Sequence, residues 1–401
     1  MKHNLIKPKE RTINSAQRLV DWIDPKPIFS KDIDGILRVC EPTLRGNEIK
    51  YVNDCLETGW ISSHGEYINK FEKLFSEKCG AKYSVACSSG STATHLAAYI
   101  LNLGEGDEVI MPTFTMVATA NSVRLTGAKP IFVDMDKRTW NMDVSKIEEK
   151  ITKNTKAIMP VHVYGHPCEM DKILSLAKKY NLYVIEDAAE AHGAEYKNRK
   201  IGSISDITIF SFFANKNITT GEGGMLVTND EEIYEMAKKI RNQAFSEKRH
   251  FWHKHLGFNY RMTNLQAAIG LAQTERFDDL INDRIKNAKL YNSLLKNIDG
   301  ITLPPETPDI KNVYWMYSIT IEENFGISTI QLREHLAKNG IETRSFFIPL
   351  HLQPIYYESS FEGKYPVSED IFPRGFYLPS SAHLTEDEIH YVADKIKSAI
   401  T

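Results

Sequence analysis

One lysine, one aspartate and one hydroxyl-rich turn are the residues of this chain whose types could do carbonyl chemistry. Lys216 follows the apolar, β-branched and aromatic run Ile207-Thr-Ile-Phe-Ser-Phe-Phe213, which reads as a buried strand. A second apolar run, Met225-Leu-Val-Thr228, comes after Gly223-Gly224. A lysine leaving a buried strand loses hydration, and desolvation lowers the pKa of its amine. A neutral amine can attack a carbonyl and form a Schiff base. Taken alone, Lys216 reads more simply as a solvated loop lysine, as most lysines are. Asp187 ends another apolar run, Tyr183-Val-Ile-Glu-Asp187. A carboxylate there needs a cation or several donors; a protonated pyridine nitrogen would serve, and so would loop amides. Ser88-Ser-Gly-Ser-Thr92 opens a helix directly after a short strand. Helix N-terminal amides and hydroxyls make a phosphate cradle, with Gly90 allowing close backbone approach. An ordinary N-cap explains the same residues equally well. The turn is neither a P-loop nor a GxGxxG, which weighs against ATP and NAD. Together, cradle, aspartate and lysine match the three handles of pyridoxal phosphate: a phosphate, a pyridine nitrogen and an aldehyde.

These groups need a scaffold. Strands are expected at Tyr83-Ser-Val-Ala-Cys87, Glu108–Met111, Pro130–Val133, Ala157–Val163 and Tyr183–Asp187. Between them lie helical patterns: Ala93 to Leu101, Val117 to Leu125 and Met170 to Tyr180. The succession predicts an α/β fold with a large, mainly parallel sheet covered by helices on both faces. Ligands of such sheets sit beyond the carboxyl ends of the strands, where the turn, Asp187 and Lys216 all fall. A helix after Gly46 is expected to carry Ile49, Val52 and Leu56 on one face. A long helical pattern runs from Thr263, with a break, to about Leu295. Strands over Val313–Ile321 and Thr343–Phe347, with helices over Gln331–Lys338 and Glu386–Ile400, make a smaller α+β unit. The division is therefore an arm (1–40), a large domain (41–275) and a small C-terminal domain (276–401).

Composition narrows the class. A length of 401 residues suits two or three domains. The net charge of -3 offers no footprint for nucleic acid or an anionic membrane. No apolar run approaches the ~20 residues a membrane helix needs, and the N-terminus has no signal-peptide core. Five cysteines (Cys40, Cys55, Cys79, Cys87 and Cys168) make no CxxC pair, which fits reduced thiols in the cytoplasm. His250, His253 and His255 are loosely spaced with no Cys or acidic ligand close, so no metal is expected.

Longer segments carry a resemblance. The most specific are Glu186-Asp-Ala-Ala-Glu-Ala-His-Gly193 and Ser211-Phe-Phe-Ala-Asn-Lys-Asn-Ile-Thr-Thr-Gly-Glu-Gly-Gly224. With them go Gly59-Trp-Ile-Ser-Ser63, Ser89-Gly-Ser-Thr92, Met111-Pro-Thr-Phe-Thr-Met-Val-Ala-Thr-Ala-Asn121, Pro160-Val-His-Val-Tyr-Gly165 and Gly257-Phe-Asn-Tyr-Arg-Met262. Ile341-Glu-Thr-Arg-Ser-Phe-Phe-Ile-Pro-Leu-His351 and Leu378-Pro-Ser-Ser381 add less specific matches. From about Glu41 onward the chain resembles the DegT/DnrJ/EryC1/StrS family, the fold-type I, pyridoxal-phosphate-dependent sugar aminotransferases. Within it, the resemblance is to the branch that aminates C4 of a GDP-linked 4-keto-6-deoxy sugar, with L-glutamate as donor.

The resemblance implies roles. Lys216 would form the Schiff base with the cofactor and move protons, and Asp187 would hold the pyridine nitrogen protonated. Gly90, the amides of Ser91 and Thr92, and the Ser211 hydroxyl would hold the phosphate, with Asn215 beside them. Asn259 would reach the cofactor phosphate of a neighbouring subunit, making a homodimer with shared active sites. Trp60, Ile61, Ser62, Ser63, Arg344 and His351 would face the nucleotide sugar, Arg344 as a fork for phosphate or carboxylate. Met116 stands where the family often has an aromatic ring over the pyridoxal, and its polarizable sulfur can cover a ring too. Glu190 stands where a Gln or Glu approaches the phenolate oxygen, so it must be protonated or turned elsewhere.

Competing readings keep the scaffold. A dehydratase branch of the family has histidine at the lysine position, so Lys216 argues against it. A regulator that binds the cofactor without catalysis fits less well with a complete lysine, aspartate and phosphate set. An aminotransferase acting on a small keto-polyol or keto-phosphate remains the nearest alternative.

Overall fold

Seven strands bring the chemistry-bearing loops to one edge. The computed structural model describes residues 35–246, 248–249 and 251–400. The expected arm therefore lies outside the described residues up to position 34, as does His250. The main sheet comprises β1 (Tyr83–Cys87), β2 (Glu108–Pro112), β3 (Lys129–Val133), β4 (Thr155–Ile158), β5 (Tyr183–Asp187), β6 (Ile207–Ser211) and β7 (Gly224–Thr228). Their order is β1-β7-β6-β5-β4-β2-β3. The run from β6 to β3 is parallel. β7 is antiparallel to both of its neighbours, β1 and β6. The carboxyl ends of β1, β2, β5 and β6 consequently open on the same side as the start of β7.

Side chains alternate across this sheet. Ala86, Ile110, Val184 and Phe210 enter one buried core. Their chain neighbours Val85, Val109, Ile185 and Ile209 enter another on the opposite face. Helices cover both faces, so the strands are apolar on both sides. The first core is covered by α1 (Glu48–Thr58), α2 (Glu66–Cys79), α5 (Met170–Tyr180) and α7 (Asn264–Glu275). The second is covered by α3 (Gly90–Ile100), α4 (Val117–Arg124) and α6 (Glu231–Arg241).

Helix α1 forms where expected, and of its expected apolar face only Val52 packs, half-buried, on the core, while Ile49 and Leu56 turn outward. Ile49 is 74% exposed and Leu56 59%, while Cys55 is the side chain fully buried. Sequence reading passed over α2 and α6. Asp230 marks the start of α6, its side chain accepting from the Ile233 amide.

The small domain holds an antiparallel sheet in the order β8-β9-β11-β10. These strands are β8 (Ile301–Thr302), β9 (Ser318–Ile321), β10 (Arg344–Ser345) and β11 (Gly375–Tyr377). It packs with α8 (Phe277–Leu295), α9 (Thr329–Lys338) and α11 (Glu386–Lys397), while α10 (Pro366–Ile371) lies against the large domain. The strand expected from Val313 begins only at Ser318. Val313 and Trp315 instead donate their amides to the carbonyls of Gly165 and Tyr164 in the large domain. The strand expected to Val163 ends at Ile158, ahead of Pro160, which has no N–H for a ladder. Arg276 joins α7 to α8. Phe277, Leu280 and Ile281 pack in the large-domain core and Ala288, Tyr291 and Leu295 in the small-domain core, so α8 is the shared spine. Leu37 pairs with the Gly340–Glu342 edge, so the described end of the arm packs on the small domain. No helix among the described residues is long and apolar enough to cross a membrane.

Candidate active site

A cavity of about 360 Å³ opens where β1, β2, β5 and β6 end, and the small domain closes it with Trp315, Arg344, Phe347 and Tyr377. Asp187 lies in it as the last residue of β5, 7% exposed. Thr119 donates its hydroxyl to one Asp187 oxygen at 2.7 Å, and the Ala189 amide donates to the other at 3.1 Å. Thr119 is presented by α4, and sequence reading did not single it out. The aspartate is thus ordered, with capacity left for a cationic partner.

The cradle is built by close approach. A Cβ on Gly90 would meet Ser211 Cβ at 2.8 Å, and one on Gly224 would meet the Ser89 carbonyl oxygen at 2.2 Å. Glycine at both positions lets the first turn of α3 sit directly on β6 and β7. Ser89 caps that helix, accepting the Thr92 amide at 3.1 Å, while the Ser89 amide donates to Thr92 Oγ1 at 3.0 Å. The Thr92 amide is therefore engaged within the cap, and Thr92 is not among the residues that line the cavity. Gly90, Ser91 and Ser211 do line it. Asn215 lines it as well, and its Oδ1 is buried without a hydrogen-bond partner among the described residues. Amides at a helix N-terminus, a hydroxyl, an open acceptor, a carboxylate and an amine fit pyridoxal phosphate.

Lys216 projects from the loop between β6 and β7, and its side chain is 10% exposed. The loop is pinned through Asn215, whose carbonyl accepts from Trp315 Nε1 at 2.8 Å and from the Cys40 thiol at 3.1 Å. Lys216 Nζ lies 3.7 Å from the centroid of the Trp315 ring and 4.0 Å from Glu190 Oε1. Burial pulls the amine below the ordinary lysine range, and the Glu190 and Asp187 carboxylates oppose that pull. Burial pushes Glu190 up to about 7, against the pull of Lys216. Glu190 Oε2 accepts the Tyr164 amide at 2.7 Å, which answers where this carboxyl turns. Met116, the N-cap of α4, lines the cavity and is 49% exposed.

Of the other expected site residues, Arg344 lines the cavity and the rest lie outside it. His351 is buried, with Nδ1 at 2.6 Å from Thr113 Oγ1 and Nε2 at 3.2 Å from Glu369, and burial lowers it to about 4. It does not line the cavity; it fastens the small domain to the end of β2. Arg344 does line it, its guanidinium 3.2 Å from buried Glu342. Trp60, Ile61 and Ser62 are exposed and Ser63 half-buried, outside the cavity. Asn264 holds this loop through the carbonyls of Trp60 at 2.7 Å and Ser62 at 2.6 Å. Asn259 is exposed, in a bridge with Asn242. His253 and His255 are exposed, and His253 Nδ1 meets the Gln243 carbonyl at 2.8 Å. Among the described residues no group of His, Cys, Asp and Glu is arranged to hold a metal. Trp315, Phe347 and Tyr377 were missed because their positions depend on the docking of the small domain, which no local pattern encodes.

Fold and site define an aminotransferase that works through pyridoxal phosphate. The chain belongs to the DegT/DnrJ/EryC1/StrS aminotransferase family, whose signature matches residues 42–397. It is 48% identical over 362 residues to the GDP-perosamine synthase of Escherichia coli O157:H7, covering 89% of this chain and 97% of that one. Identity to the GDP-perosamine synthase of Caulobacter vibrioides is 45% over 357 residues, covering 89% and 96%. Among solved structures, DesV of S. venezuelae superimposes with a TM-score of 0.84 at 33% identity, over 88% of this chain and 95% of that one.

Proposed function

We propose that this enzyme transfers the amino group of L-glutamate to C4 of a GDP-linked 4-keto-6-deoxy sugar, as a cytoplasmic homodimer. The observation that carries the reading is the Lys216 amine inside the cavity, in the position where the dehydratase branch has histidine. The GDP-perosamine synthases at 48% and 45% identity support the choice of acceptor.

Pyridoxal phosphate supplies the carbonyl that carries the amino group and the ring that takes up an electron pair. Gly90, Ser91 and Ser211 are the groups that would bind its phosphate, and Asp187 the one that would keep its ring nitrogen protonated. Thr119 and the Ala189 amide orient Asp187 for that task. Lys216 moves protons at Nζ, which requires a neutral amine for part of each turnover, and its burial favours that form. Arg344 offers a fork to the donor carboxylate or the diphosphate. Trp315, Phe347 and Tyr377 exclude water from the amine.

The donor reading has a direct test. Glutamate added without acceptor should release 2-oxoglutarate in an amount matching the bound cofactor, measured by mass spectrometry. No 2-oxo acid from glutamate, glutamine or alanine would remove the transaminase assignment. Product with small keto-phosphates but not with GDP-, UDP- or dTDP-linked keto sugars would move the acceptor to the nearest alternative.

The exposed Trp60–Ser62 loop and Asn259 support a shared site, since neither reaches the cavity of its own chain. Asn259→Asp would set a carboxylate against the partner's cofactor phosphate, where like-charge repulsion is costly. Homodimers of Asn259→Asp should bind the cofactor poorly and those of Lys216→Ala should be inactive. In a heterodimer of the two, one site carries both defects and the other neither. Refolded equal mixtures should regain roughly a quarter of wild-type activity, assuming random pairing and independent sites. No recovery in mixtures confirmed to contain heterodimers would rule out this sharing.

A further inference from the structure

We propose that Trp315 and Glu190 form a resting site that holds the Lys216 amine whenever it is not bonded to the cofactor. This rests on the reading of the chain as a lysine-dependent aminotransferase. In such a reaction the lysine is released while the cofactor carries the amino group, and it must stay close enough to move protons. A free amine in a dry cavity has few partners. If charged it is costly to bury, and if mobile it is badly placed.

The geometry supplies both a face and an acceptor. Nζ sits 3.7 Å from the Trp315 ring centroid, where an indole face attracts a cation. Glu190 Oε1 stands 4.0 Å away, where its carboxylate charge favours the charged amine. Both walls are rigid. Trp315 is 4% exposed, with Nε1 donating to the Asn215 carbonyl and its own carbonyl accepting from Arg284 at 2.7 Å. Glu190 is likewise 4% exposed.

One residue, through the two peptide units that flank its Cα, aligns the two walls. Tyr164 donates its amide to Glu190 at 2.7 Å, and its carbonyl accepts the Trp315 amide at 3.0 Å. Tyr164 does this with φ at +54, a left-handed conformation that a bulky side chain rarely adopts. Such strain persists only where the surroundings over-determine it. Here a ring cluster with Phe114, Phe346 and Tyr377 encloses the Tyr164 side chain. Trp315 is thus a positioning residue for the reacting amine, and Glu190 its charge partner. Asp187 and the Cys40 thiol also act on the amine, in the same sense as Glu190, and Arg284 acts in the opposite sense. His192, next to it, is lowered to about 3 by burial and stays neutral.

The test reads the amine without turnover. Full-length protein freed of cofactor is mixed with pyridoxal phosphate, and growth of the visible absorption band is followed against pH. Only the neutral amine attacks, so the midpoint of this rate profile reports its proton affinity. Losing the indole face removes a stabiliser of the charged form. Trp315→Leu should therefore move the midpoint down by about one pH unit. Trp315→Phe, which keeps a weaker ring face, should move it less. Glu190→Gln, which removes the carboxylate charge, should also move it down. Should Trp315→Leu fail to fold, Trp315→Phe and Glu190→Gln carry the test. Unchanged or raised midpoints in folded variants that still form the band overturn the resting site alone. A wild-type protein that forms no band overturns the resting site together with the lysine-dependent reading beneath it.

Discussion

Lys216→Ala is expected to lower turnover by about 10⁴-fold or more, since on the proposed reading it removes both the nucleophile and the group that moves protons. Wild-type protein treated with borohydride should carry a covalent pyridoxyl group on Lys216, and the variant should carry none. The fold should survive. The loop is held by the Asn215 carbonyl, bonded to Trp315 and Cys40, and not by the lysine side chain. Loss of the cation leaves Glu190 buried without its partner, but a carboxyl already raised to about 7 can take up a proton instead of remaining charged. Lys216→Arg is the sharper control. It keeps a cation for the Trp315 face and Glu190 while removing the nucleophile, so it should lose activity as fully as the alanine variant. A reducible adduct that persists in Lys216→Ala would assign the covalent link to another lysine.

Much of this site was legible because its parts lie at strand ends. Asp187 and Lys216 each follow an apolar run, and Gly90 stands in a turn that opens a helix. Such features are local, and a parallel sheet brings them together by rule. What was not legible depends on contacts between distant segments. His351 sits in a motif that suggests a substrate contact, yet Thr113 and Glu369 take both ring nitrogens. Thr92 belongs to the cradle in sequence, but Ser89 takes its amide. Ile49 and Leu56 follow helical spacing and still face outward, because spacing shows that two residues share a face and not which face is covered. By pattern Trp315 belongs to the strand expected over Val313–Ile321. Pairing with the Tyr164 loop removed it from the sheet and put its ring over Lys216. The protonation of Glu190 was open for the same reason, since burial and the Tyr164 amide are tertiary facts.

Asp187→Asn should separate holding the cofactor from using it. The substitution keeps nearly the same volume, and its amide oxygen can still accept from Thr119. It loses the negative charge that favours a proton on the ring nitrogen. Removing one such preorganised electrostatic partner lowers turnover by about 10²–10³-fold. Lys216 is untouched, so borohydride should still attach the cofactor to the protein. That pattern, bound but slow, differs from the one expected of Lys216→Ala, which gives no adduct at all. Thr119→Val asks how much of the effect is orientation. It deletes the 2.7 Å bond to the carboxylate, a hydrogen bond to a charged group worth about 1.5 kcal/mol, or roughly a tenfold loss. The Ala189 amide still holds the other oxygen, so the aspartate should stay charged and partly aligned. The expected order is therefore wild type, then Thr119→Val, then Asp187→Asn, with all three forming the adduct. If Asp187→Asn turns over within a few-fold of wild type, the carboxylate at the end of β5 is a structural cap, and the ring nitrogen takes its proton from another source.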